Sequence, residues 1–175
     1  MSDSKDTGRF LGKFRGTVVN NIDPEFRGRL TLEIPDVLGL VPSNWAECCT
    51  PLSGPTGSSM GVYMVPPIGA AVWVEFERGD PSLPIWTGCR SDVPADVPPV
   101  AHAGLPVSPN IVIQTAGQNS FIISDVPGPV GGIILKSSTG LSTIMINDTG
   151  ITITGPTVTI NGVVNINNGA LAVTL

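Results

Sequence analysis

The chain has 175 residues, a mass of 18.1 kDa and a net charge of −5, with only 13% charged and 5% aromatic residues. Its 21 glycines and 17 prolines point to many turns and few long helices, while a mean hydropathy of +0.28 argues against a disordered chain. The acidic balance disfavours a nucleic-acid partner, because phosphate neutralisation needs clustered Lys and Arg, and no apolar run approaches the ~18 residues of a membrane-spanning helix.

Residues 1–9 read as a polar N-terminal extension without the apolar stretch of a secretory signal, so synthesis in the cytoplasm is expected. Residues 10–92 read as one small all-β domain. Phe14 to Val19 is its first strand, and Asn20 to Gly28 a turn-rich connection. Leu30, Leu32 and Ile34 then alternate with Arg29, Thr31 and Glu33, the pattern of a half-buried strand. Met60 to Val65 is expected as a strand ended by Pro66 and Pro67. Ala70 to Glu77 alternates again, with Val72, Val74 and Phe76 on one face and Trp73, Glu75 and Glu77 on the other. Pro84 to Gly88 closes the set after a turn at Gly79 to Pro81. About five short strands without a long amphipathic helix predict a small closed barrel.

Residues 93–110 contain Pro94, Pro98, Pro99, Pro106 and Pro109 and read as an extended, semi-rigid spacer. Beyond it the chemistry changes. Residues 1–107 carry 20 charged side chains, whereas residues 108–175 carry only Asp125, Lys136 and Asp148. In residues 111–175 apolar pairs recur at Ile144/Ile146, Ile151/Ile153, Val158/Ile160, Val164/Ile166 and Leu171/Val173, with glycines near the breaks. Thr, Asn and Gly between the pairs oppose a helix, so this near-seven-residue period predicts strands and tight turns that bury their apolar side only by stacking. A single-chain solenoid and three chains wound together both satisfy that period. The less regular stretch from Ile111 to Leu135 is expected as broader sheet. At one strand spacing per repeat, residues 111–175 make a rod of roughly 40 Å.

No residue pattern points to catalysis. His102 is the single histidine and sits between alanines in the spacer; Cys48, Cys49 and Cys89 lack zinc spacing or a disulfide framework. Asp23, Glu25, Asp36, Asp80 and Asp92 have no calcium-loop spacing and read as turn residues. No cofactor and no metal site are expected.

The run Gly12-Lys-Phe-Arg-Gly-Thr-Val-Val-Asn-Asn-Ile-Asp-Pro24, followed by Gly28-Arg-Leu-Thr-Leu-Glu-Ile-Pro35, resembles the opening of the oligonucleotide/oligosaccharide-binding (OB) domain of central baseplate spike proteins. These belong to contractile phage tails, VgrG-type secretion spikes and related extracellular injection systems. Trp45-Ala46, Cys49-Thr-Pro51, the run Pro67 to Pro81 and Pro84-Ile-Trp-Thr-Gly88 continue the likeness over roughly Gly12 to Gly88. The resemblance implies a homotrimer whose OB barrels sit on a baseplate hub protein. Its C-terminal regions would intertwine into a triangular β-helix, or β-prism, that contacts and pierces a target membrane when the sheath contracts. A lysozyme domain and a terminal His-x-His motif, both found in some such spikes, have no counterpart here. The apolar residues Leu171, Val173 and Leu175 are therefore expected to seat a separate PAAR-type tip protein, and Trp73 to anchor an interface toward the hub or a sister subunit. A non-piercing structural adaptor of a tail or trimeric fibre, and a monomeric OB-type binding module, remain as alternatives.

Overall fold

The computed structural model describes residues 8–162 and Val164. It is all-β apart from a four-residue helix and short 3-10 turns, and it divides into two compact units, residues 1–96 and 97–175.

The first unit is built on β1 (Phe14–Asn20), β2 (Thr31–Glu33), β3 (Glu47–Cys48), β4 (Ala71–Phe76) and β5 (Pro84–Cys89). They form one sheet in the order β2-β1-β4-β5-β3, antiparallel except for the β3–β5 pair. The sheet curls into a half-barrel whose two edges touch where Leu30 and Ala46 exchange backbone hydrogen bonds of 3.2 and 2.7 Å. Period-2 alternation drives this. Val18, Leu30, Leu32, Ile34, Ala46, Val72, Val74, Phe76 and Trp86 point inward and form the core, and Phe10 and Phe14 pack on Phe76 with ring centres 6.0 and 5.4 Å away. Gly16 faces the same interior, where a Cβ would lie 2.8 Å from a Val74 methyl. Trp86 satisfies its buried indole by donating to the Gly28 carbonyl at 3.0 Å. Between β2 and β3, Pro35 opens helix α1 (Pro35–Leu38), and Gly39, at φ +62°, ends it.

Two expectations change here. Met60 to Val65 is not a strand. It is an exposed loop joined to Ser53 by one bridge at Gly61. The strand beside Trp86 is instead β3, whose two residues carry no periodic signal.

The proline-rich stretch is likewise not extended. Pro94–Asp96 and Pro99–Ala103 form 3-10 turns, and the second is held by Asn110, which donates to the Val100 and Ala101 carbonyls at 2.8 and 3.1 Å. Proline fixes φ near a value that 3-10 and extended backbones share, so those hydrogen bonds decide between them.

The second unit is a five-stranded antiparallel meander of β6 (Ile111–Gln114), β7 (Ser120–Ser124), β8 (Gly132–Lys136), β9 (Thr143–Asn147) and β10 (Gly150–Thr154), paired in chain order. This is an open sheet and not the coils of a solenoid. The expected strand at Val158 and Ile160 is absent, and the pairs involving Ile166, Leu171 and Val173 lie outside the described residues.

Candidate functional site

Strand register decides what each face of the second sheet carries. Ile111 pairs with Ile123, Ile113 with Phe121, Phe121 with Leu135, and Ile123 with Ile133. Ile133 and Leu135 oppose Ile146 and Ile144, which oppose Ile151 and Ile153. Because side chains alternate, these ten residues occupy one face, and every one is Ile, Leu or Phe. The other face mixes Val112, Ile122, Ile134 and Met145 with Gln114, Ser120, Ser124, Lys136, Thr143, Asn147, Thr152 and Thr154.

The described residues leave the apolar face uncovered. Ile151 is 71% exposed and Ile111 62%, while Leu135, Ile144 and Ile146 keep nearly half of their surface in water. A single-layered sheet with one wholly apolar face is unstable as a monomer and marks an interaction surface. Covering the eight exposed side chains of this face contributes on the order of 10 kcal/mol per subunit before association entropy. Along one margin, the chain after β10 bounds an open cavity of about 640 Å³ lined by Ile113, Phe121, Leu135, Ile144, Ile153 and Val158.

Sequence reasoning picked out Ile144/Ile146 and Ile151/Ile153 but not the six partners on β6, β7 and β8. Those strands contain consecutive apolar residues (Phe121-Ile-Ile, Ile133-Ile-Leu135), so alternation alone does not say which members share a face. Their registers with one another and with Ile144 and Ile146 of β9 supply that information.

Trp73 lies on the outer side of the half-barrel, opposite to Val72, Val74 and Phe76 as its alternation predicts. It is half-buried. The Arg90 guanidinium stacks over its indole at 5.8 Å, Asp92 pairs with Arg90, and Arg15 faces Trp73 across β1. Gly88 is its neighbour on β5, beside a bulge. Leu171, Val173 and Leu175 lie outside the described residues.

The groups weighed for catalysis are not brought together. His102 is exposed on its 3-10 turn. Burial pushes the Cys48 and Cys89 thiols up, which keeps them protonated at neutral pH. Asp80 accepts from the Ser82 amide and hydroxyl at 2.9 and 2.7 Å, and these bonds lower its carboxyl. Asp23 holds the turn between β1 and β2. Among the described residues no three His, Cys, Asp or Glu side chains gather around a point where a metal could sit. No helix among them is long and apolar enough to cross a membrane.

Comparison with known families matches each unit separately. Residues 14–90 match the type VI secretion system/phage-baseplate injector OB domain. Residues 110–172, which include the whole apolar face, match the phage baseplate V C-terminal trimerisation domain. A search of curated proteins gave no match. The half-barrel is thus similar to an injector OB domain, the sheet with the apolar face lies in a stretch similar to a baseplate trimerisation domain, and the two matches together support a structural role in a phage-baseplate or type VI-type assembly.

Proposed function

We propose that the chain is the central spike of a contractile injection apparatus, a non-enzymatic homotrimer that caps the tube and is driven into the target envelope when the sheath contracts. One observation carries the reading: the ten-residue apolar face of the second sheet, lying within the stretch that matches a trimerisation domain and left uncovered by the described residues. Three such faces turned toward a common axis bury one another and form a triangular prism, sheet packed on sheet at about 10 Å. The seven-residue repeat continues past β10 at Val158, Ile160 and Val164, all of them exposed, and among the described residues β10 is an outer strand with one edge unpaired. A strand at these residues needs such an edge from a sister chain, which makes the narrower end of the prism an intertwined β-helix.

The nearly charge-free composition of residues 108–175 suits a rod that enters a membrane, since few ionic groups then require desolvation. In this reading the OB domain seats on the hub protein, Trp73 contributes to a subunit contact, and Leu171, Val173 and Leu175 form the blunt end that receives a PAAR-type tip.

Light scattering tests the trimer directly. The wild-type chain is expected at three times its 18.1 kDa mass, and to keep that mass in SDS without boiling. Leu135→Asp, on the apolar face, is expected to yield monomer, whereas Thr152→Asp, on the opposite face, leaves the trimer intact. Equal behaviour of the two variants would sink the assignment of the face. For the tip, a chain truncated after Gly169 is expected to lose its tip protein in a pull-down.

A further inference from the structure

We infer that the three charged side chains of residues 108–175 form one contact between sister chains: Lys136 of one chain reaches Asp125 and Asp148 of the next and closes each corner of the prism. The contact rests on the trimer reading and names which ends of its sheets meet. Lys136, Asp125 and Asp148 are the only Lys, Arg, Asp or Glu in that stretch, and all three are exposed. None of them forms an ion pair among the described residues.

The meander separates them by sign. β7 and β9 run toward one end of the sheet, where Asp125 follows Ser124 and Asp148 follows Asn147. β8 runs the other way and carries Lys136 as its last residue, paired with Ser120 and Thr143. The Lys136 stem passes over the β8–β9 turn, where a Cβ on Gly140 would lie 3.1 Å from its Cε. Asp125 accepts from the Ser108 hydroxyl at 2.5 Å, which holds that carboxylate at the anionic end. Four residue steps, roughly 13 Å, separate the two ends of β8, too far for an ion pair within one chain.

Threefold symmetry brings opposite ends together. A repeat that advances one strand spacing along the rod sets the strands across its axis, so the strand ends lie at the corners. A rotation of one third of a turn then places the cationic end of each sheet against the anionic end of the next, a head-to-tail contact that closes after three chains. At such a corner Lys136, on β8, stands between Asp125 at the level of β7 and Asp148 at the level of β9, with one strand spacing of about 4.8 Å to either side. A lysine side chain spans that distance. Exposed pairs of this kind add little stability each, and their effect is on specificity. A sheet inserted upside down would present like charges at both of its corners, so the pairs favour three parallel chains.

Carbodiimide coupling, which joins an amine to a carboxylate in direct contact, tests this on the full-length wild-type protein. Mixed trimers of isotope-labelled and unlabelled chains are expected to give covalent dimers and trimers in which Lys136 of one label is joined to Asp125 or Asp148 of the other. Lys136 joined within its own chain, joined to any other carboxylate, or left uncoupled overturns the proposal. In parallel, Lys136→Glu is expected to lower the urea midpoint of the trimer by about 0.5 M at low salt and to regain the wild-type midpoint in about 1 M salt, where the charges are screened. Lys136→Glu/Asp125→Lys/Asp148→Lys is expected to recover the midpoint at low salt. A wild-type trimer that Lys136→Glu leaves unchanged at low salt overturns the corner contact alone. A monomeric wild-type chain overturns the trimer reading and the contact with it.

Discussion

Asp23 is nearly inaccessible to water and still ionised, because every lone-pair direction it has is used. The Arg29 side chain, then the three backbone N–H groups, hold its carboxyl well below the usual carboxylate range against the opposing effect of desolvation. A carboxyl depressed on folding stabilises the native state above its unfolded pKa near 4, and that contribution is lost as pH falls toward the folded value. The melting temperature of the OB unit should therefore decline on acidification below about pH 4. Asp23→Asn should start lower at pH 7 and show a flatter acid limb. Parallel acid limbs in scanning calorimetry would show that Asp23 is not the linked group. Gly16 tests packing in the same unit. The methyl of Gly16→Ala meets Val74 and Val72 at 2.8 and 3.3 Å, and both valines are fully buried and have nowhere to move. The expected cost is about 2 kcal/mol, roughly 10 °C in Tm for a unit of this size.

At the scale of the element, the β8–β9 ladder is the hinge on which the apolar face depends, since it aligns Ile133 and Leu135 with Ile146 and Ile144. Gly132 opens β8 at φ +97°, where a Cβ would fall inside the contact radius of the Ile146 carbonyl oxygen. Gly132→Ala should displace β8 from β9 and remove the SDS-resistant oligomer. Gly128→Ala, at φ +84° with open space around it, should cost about 1 kcal/mol of backbone strain and leave the oligomer in place. Survival of the oligomer in both variants would show that the ladder tolerates the intrusion. The elements that sequence reasoning located share a property: in β1, β2 and β4 the residues that face the core recur at every second position. Met60, Val62 and Met64 imitate that alternation, but all three are exposed in a loop, because a strand also requires a partner to pair with and alternation does not supply one. The two-residue β3 exists only through its parallel pairing with Ile85 and Trp86, a non-local fact absent from its own residues. The rigidity of the turn between β1 and β2 is hidden for a similar reason. A turn-rich segment predicts a loop, while the buried carboxylate that makes the loop rigid is visible only in three dimensions.

The two units bury their apolar surface by different routes, and this has a measurable consequence for the whole molecule. The OB unit closes a core of nine buried residues within one chain, so its stability is an intramolecular quantity. The second sheet leaves Ile111, Ile113, Ile133, Leu135, Ile144, Ile146, Ile151 and Ile153 in water until other copies cover them, so its stability includes an association term. Forming a trimer takes two association steps, and each loses about 1.4 kcal/mol per tenfold dilution, or about 2.8 kcal/mol per trimer. Heating the full chain should accordingly show two transitions. Tenfold dilution should lower the midpoint of the second unit, followed by far-UV circular dichroism, and leave that of the OB unit unmoved, which Trp fluorescence reports alone because Trp45, Trp73 and Trp86 all lie in the first unit. Two transitions that shift together would mean that the units unfold as one body. Two that ignore concentration would mean that the apolar face is covered by something other than sister chains.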